Sequence, residues 1–316
     1  VAGPIERAQN LLYQFRLKFD FEYGRAVSGL KQMLWGFFKK VVIADRVGVI
    51  VDMAYNSPGD YDGLALALAT VLFAFQIYCD FSGYSDIAIG ASKVLGIKLM
   101  DNFRTPYFSK DISEFWKRWH ISLSTWFRDY LYIPLGGNRV VKWRWYYNLM
   151  IVFLVSGFWH GANWTFIIWG GLHGLYLVMA IVFEDVNKKL AQVIGLTKSK
   201  FLHKWVNIAI TFALVLFAWI YFRANSATDG HLIVQKILSL SSGSEHSLIL
   251  YIADGKVLIT IALLGLFALS DSYVDSLIKQ KRTLSRTPSL ILYAAMMVII
   301  LIAGNFGEVN FLYFQF

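Results

Sequence analysis

A helical membrane protein with several spans is the fold class this sequence predicts, and three observations predict it. Apolar residues fill 57% of the 316 positions and charged residues only 16%, where globular domains average roughly 45–50% and about 25%. Several runs approach the roughly 20 apolar residues that a helix needs to cross a bilayer while satisfying its own backbone. Eleven Trp and 17 Tyr supply rings suited to the headgroup boundary, each apolar with one polar atom. The formal charge of +9 lies in loops between the apolar runs, not in one stripe, and no nucleic-acid motif accompanies it. Basic loops facing membrane lipid explain it better than a nucleic-acid partner.

The elements follow in order. Ala26–Tyr55 reads as an apolar helix, but it carries Lys39, Lys40, Asp45 and Arg46 in its middle. In lipid each charge would cost about 2.5–3.5 kcal/mol, so this helix must face protein and water or lie along the interface. Asp45 and Arg46 read as a buried pair or as the rim of a polar cavity. Gly63–Tyr78 is a clear span, and Tyr78-Cys79-Asp80-Phe81-Ser82-Gly83-Tyr84-Ser85-Asp86 follows, with Gly83 expected to break the helix into a turn capped by Ser and Asp side chains. Asp80 and Asp86, six residues apart, invite a metal or acid/base reading. No His and no Cys other than Cys79 completes a first shell, so structure is favoured and no metal is expected. Cys79, the single cysteine, cannot form an internal disulfide and reads as a packing residue.

Asp111–Arg139 begins as an amphipathic helix. Ser113 can cap it, Glu114 stands in its first turn, and Phe115, Trp119, Ser122 and Trp126 recur at helical spacing. Pro134 and Gly136-Gly137 end it. Lys117, Arg118, His120, Arg128 and Asp129 interleave with the apolar stripe, which describes a helix at the interface or beside a polar cavity, not a lipid span. Further spans are expected at Trp205–Phe222, Val257–Leu269 and Pro288–Ala303.

Tyr146–Phe183 is too long for one simple crossing. Basic residues flank it on both sides: Arg139, Lys142 and Arg144 before it, Lys188, Lys189, Lys198, Lys200 and Lys204 after it. If Lys and Arg mark the cytoplasmic side, both ends lie there and the segment turns around within the membrane. Lys279, Lys281, Arg282 and Arg286 put a third loop on that side, and Arg223–Ser247, with only Arg223 and Lys236, falls outside. The expected break is Ser156-Gly157-Phe158-Trp159-His160-Gly161-Ala162-Asn163, where two Gly and an Asn interrupt apolar sequence. Non-helical backbone at that depth is tolerated only when buried in protein or lining a cavity. One kinked helix crossing once is the alternative. No repeat, linker or low-complexity segment appears, so residues 1–316 are expected to form one domain. The chain opens on Val1-Ala2-Gly3-Pro4 without a signal peptide and is expected to be the C-terminal portion of a longer protein.

Histidines stand where chemistry would be expected. A His between apolar runs near mid-membrane, as His160 is, costs energy if charged and needs a partner if neutral, which makes function the default hypothesis. A core imidazole bonded to a carbonyl freed by the glycine break explains it equally well from the residues alone. His120 reads as an interfacial ring stacked among Trp116, Trp119 and Trp126, or as a polar group supporting a reaction. His173, 13 positions after His160, would point to another face of one continuous helix and reads as structural. Gly-x-Ser-x-Gly and phosphate-binding loops are absent.

Glu114–Asp129 with Tyr132–Arg139, followed by Val155–Trp164, resembles the signature of the membrane-bound O-acyltransferase (MBOAT) superfamily. Tyr132-Ile133-Pro134-Leu135-Gly136-Gly137-Asn138-Arg139 is more similar to the alginate O-acetylation branch than to the branch that D-alanylates teichoic acids. Val1–Arg7, Lys39–Asp45, Tyr78–Gly90 and Phe311–Phe316 also match, so the resemblance covers nearly the whole chain. It implies an all-α fold of amphipathic and re-entrant helices around a central cavity, and earlier spans preceding the Ala-Gly-Pro motif. It makes His160 the near-universal family histidine and His120 the second polar position, where relatives carry His, Asn or Asp. A multi-pass protein of the bacterial inner membrane is implied, with acetyl-CoA or another acyl thioester as donor substrate and no bound cofactor. The acceptor would be a periplasmic acetyltransferase partner or an exopolysaccharide such as alginate. D-alanyl or lipid acyl transfer, or a non-enzymatic polysaccharide export component, are the competing expectations; polar breaks in spans suit transport too.

Overall fold

The computed structural model describes residues 3–239, parts of 263–277 and residues 286–307. Among these the regular elements are helical, as the composition predicts. Helix α1 (Tyr23–Phe37) runs through π-helical turns at Phe38–Ala44 into α2 (Asp45–Asn56). Then come α3 (Gly63–Val94), α4 (Ile112–Arg118), α5 (Ile121–Phe127), α6 (Lys142–His160), α7 (Trp164–Val182), α8 (Glu184–Val193), α9 (Lys200–Arg223), α10 (Ala227–Leu238) and α11 (Arg286–Ala303). By length and composition, α3, α7 and α9 can each cross a membrane. Leu290, Ile291, Val298, Leu301 and Ile302 leave α11 with an exposed apolar surface, as lipid contact requires. The expected span Val257–Leu269 lies largely outside the described residues. The chain packs as two compact units, residues 1–102 with 240–316, and residues 103–239.

In the first unit α1 and α3 meet through glycines. A Cβ at Gly36 would lie 2.6 Å from the Gly83 carbonyl oxygen, and one at Gly83 would lie 2.8 Å from the Gly36 oxygen. Small residues let helix backbones approach this closely. Gly83 therefore does not break the helix, contrary to expectation; α3 continues unbroken to Val94, and the glycine serves the contact instead. That close approach brings the buried charges together. Lys40 Nζ lies 2.7 Å from Asp45 Oδ1 and 2.6 Å from Asp80 Oδ1. Lys39 pairs with Asp86 and donates to Ser82 Oγ at 2.9 Å. The partner of the Asp45 carboxylate is thus the Lys40 ammonium, five residues back along the π-helical turns, and not Arg46. Asp80 and Asp86 serve as ion-pair partners and not as the caps expected. Buried charges persist only when so compensated. Asn305, just beyond α11, donates its backbone N–H to the Val41 carbonyl at 2.8 Å, within the π-helical turns.

In the second unit the amphipathic segment is not one helix. Asp111, not Ser113, caps α4 by accepting the Glu114 N–H at 2.7 Å. The chain then breaks at Trp119-His120 before α5. Gly136 and Gly137, at φ +101° and +57°, turn the chain after Pro134 in a conformation that favours glycine. The long apolar segment reverses as expected: α6 ends at His160, and α7 starts at Trp164 with Asn163 as its cap. The two helices are antiparallel, since Gly157 sits against the Phe166 carbonyl, Gly170 against that of Phe153, and Gly174 against Met150. A single kinked crossing is ruled out.

Candidate active site

His160 occupies the last position of α6, where the helix stops because Gly161 takes an extended conformation and Asn163 opens the next helix. The ring is buried at 8% exposure in an aromatic cage. Trp159, Trp169 and Phe222 present edge-on at centroid distances of 5.1, 5.0 and 5.2 Å, and Phe166 stands tilted at 6.3 Å. α6, α7 and α9 thus each contribute a wall.

His120 is placed by strain and not by helix periodicity. Its backbone lies in the left-handed region, φ 42° and ψ 54°, which costs a non-glycine residue but is tolerated by His better than by most. The turn withdraws the side chain from the amphipathic surface. At 1% exposure it stacks on Phe103 at 6.5 Å, and its Nδ1 lies 3.4 Å from Ser122 Oγ. The expected stack on Trp116, Trp119 and Trp126 as an interfacial ring is therefore not what the chain makes. Burial pushes the His120 pKa well below 6.5, and the nearby His160 pushes it the same way. The imidazole is neutral at physiological pH. The fold thus brings the two sequence-predicted histidines within electrostatic reach of one another, from the ends of different helices.

A cavity of about 1940 Å³ opens beside them, walled by α4 to α9. Neither imidazole lines it. Ser124, one turn after His120, and Ser156, one turn before His160 on the same helix face, both do. Lys110, Lys117 and Lys188 reach the cavity among mostly apolar neighbours such as Leu149, Val152 and Leu214. At the start of α7 the Thr165 N–H donates to Asn163 Oδ1 at 3.1 Å and the Phe166 N–H to the Asn163 carbonyl at 3.1 Å. No cluster of metal-ligating side chains occurs among the described residues.

His173, read from the sequence as structural, is buried in the same aromatic cluster. The helix is not continuous between His160 and His173: the reversal at Gly161 folds α7 back so that Trp169 packs edge-on against both His160, at 5.0 Å, and His173, at 5.2 Å.

Helices long and apolar enough to cross a bilayer, two of which also wall the cavity, mark the chain as a membrane protein. The MBOAT model, membrane-bound O-acyltransferase family, matches residues 1–227, and the chain belongs to that family. It is 43% identical over 230 residues to a probable alginate O-acetylase AlgI of Azotobacter vinelandii, covering 72% of this chain and 43% of that one. A protein of the same description in Pseudomonas fluorescens is 38% identical, covering 92% and 57%. A peptidoglycan O-acetyltransferase of Helicobacter pylori is 39% identical, covering 77% and 45%. The chain spans about half the length of these curated relatives.

Proposed function

We propose that this chain carries the reaction centre of an O-acetyltransferase that passes acetyl from a thioester, with acetyl-CoA as the cytoplasmic donor, toward an extracellular polysaccharide across the bacterial inner membrane. The observation that supports it is the pairing of His160 and His120, two buried imidazoles brought together beside a cavity large enough for both reactants. In this reading a neutral His160 ring nitrogen takes the proton of an acceptor hydroxyl as its oxygen attacks the thioester carbonyl. The tetrahedral intermediate collapses by expelling the thiolate, which recovers the proton from the imidazolium. Imidazole suits both halves because one ring nitrogen can accept the hydroxyl proton and return it to the departing thiolate. His120 serves as hydrogen-bond donor to the developing oxyanion, where preorganised donors contribute most. The acceptor is the hydroxyl of a polysaccharide or of a periplasmic acetyltransferase partner; the relatives named for alginate and for peptidoglycan acetylation both favour a glycan at the end of the route.

Ser124 and Ser156, each one turn from one of the imidazoles, stand on the cavity wall. The test is donor competition in membranes carrying the full-length protein. Radiolabelled acetyl-CoA is expected to label polysaccharide, with excess long-chain acyl-CoA or D-alanyl carrier protein failing to suppress it. Suppression by either would move the chain to lipid or D-alanyl transfer, and polysaccharide export without any acyl labelling would favour the transport reading.

A further inference from the structure

We propose that His173 is a positioning residue for the transfer reaction, one that holds the helix leading into His120 in register with the helix face that packs on His160. The inference rests on the acyltransferase reading above. His173 is fully buried, at 0% exposure, and it is reached by a donor from another helix: Trp116 Nε1–H donates to His173 Nδ1 at 3.2 Å. An indole nitrogen can only donate. Nδ1 must therefore be bare, and a neutral His173 carries its proton on Nε2.

Two lines of contact leave this ring. The first passes through Trp116 into α4, whose end at Trp119 delivers the left-handed turn at His120. Phe115, on the same helix, lies parallel to the His173 ring at 6.1 Å and reinforces that docking. The second passes through Trp169, which stands edge-on to both imidazoles of α6 and α7. Trp116 also forms part of the cavity wall. One hydrogen bond thus ties the wall of the chamber, the approach to His120 and the cage of His160 to a single side chain. Catalytic groups displaced by an ångström lose rate steeply, and leaving the buried Trp116 indole N–H without its acceptor carries a desolvation cost that weakens this docking.

Three variants in the full-length protein test this, with radiolabelled acetyl-CoA as probe in native membranes. His173→Phe keeps an aromatic ring but removes the acceptor; kcat is expected to fall about tenfold or more, with KM for acetyl-CoA changed less than about twofold. His173→Asn places Oδ1 where Nδ1 was and is expected to return kcat to within about threefold of the parent. Trp116→Phe combined with His173→Phe should cost no more than the worse single change, because the two sites share one bond. Nitrogen NMR of labelled histidine should show the proton on Nε2, a reading that holds even if a variant fails to accumulate. The inference is overturned if His173→Phe turns over normally while His160→Ala does not, if Asn rescues no better than Phe, or if the proton sits on Nδ1. Should His160→Ala itself turn over normally, it is the acyltransferase reading that falls.

Discussion

Replacing Gly83 by Ala separates two physical effects that predict opposite signs. In a helix interior Ala is favoured over Gly by roughly 1 kcal/mol, so propensity alone predicts a more stable protein. The structure predicts the reverse. A methyl at Gly83 would lie 2.8 Å from the Gly36 carbonyl oxygen, 3.3 Å from the Lys40 nitrogen and 3.4 Å from Lys39 Cβ. Two of those three atoms are backbone and cannot rotate aside, so α1 and α3 must part by about 0.6 Å to restore ordinary contact near 3.4 Å. The Lys40–Asp80 separation of 2.6 Å would open to about 3.2 Å as the helices part. Overpacking of this kind costs about 1–3 kcal/mol, and severing a buried ion pair outright costs about 3–5 kcal/mol, of which a stretched pair forfeits a fraction. The expected net effect is a destabilisation of about 2 kcal/mol. Unfolding free energy in mixed micelles measures it. Gly171→Ala is the control, because its methyl would meet only Leu154 Cδ2 at an ordinary 3.7 Å; it should stabilise by about 0.5–1 kcal/mol. A Gly83→Ala protein as stable as the parent, or more so, would refute the reasoning.

Gly157→Ala should act on rate instead. Its methyl would run into the Phe166 carbonyl three residues before His160, and acetyl transfer should fall about 100-fold; turnover within about twofold of the parent would show that the cage does not depend on this contact. Stability should also depend on pH through His120. Its folded pKa lies below the unfolded value of 6.5, so above pH 6.5 neither state holds the proton and its contribution is flat. As pH falls below 6.5 the unfolded chain takes a proton that the folded chain refuses, and stability drops by about 1.4 kcal/mol per pH unit from this group. Denaturation between about pH 5 and 6.5 should show a shallower slope for His120→Asn than for the parent; equal slopes would contradict the assignment.

What the residues revealed depended on whether the relevant physics was local. The α6–α7 reversal was legible because Gly157, Gly161 and Asn163 interrupt an apolar run that basic loops flank on both sides. The span Gly63–Tyr78 was legible from hydropathy, but its extension to Val94 was not, since a glycine looks the same whether it breaks a helix or admits a neighbour. Pairing of Lys39 and Lys40 with Asp86 and Asp80 joins segments some forty residues apart, and no periodicity encodes that. His160 and His120 were legible through the family motif, whereas the left-handed turn that buries His120 follows from tertiary packing around Trp119. The placing of His173 on a face away from His160 does not hold, because helical phase does not carry across the break at Gly161. Counting phase afresh from Asn163 places Trp169 and His173 one turn apart on the same face of α7, which was the available signal.

The most direct test of the account is the rate of acetyl transfer from acetyl-CoA by His160→Ala in membranes where its abundance matches the parent. General-base catalysis contributes about 10²–10⁴ in rate, so the account predicts a loss of that size, with His120→Asn retaining much more activity than His160→Ala. Parental turnover without the His160 imidazole would contradict it.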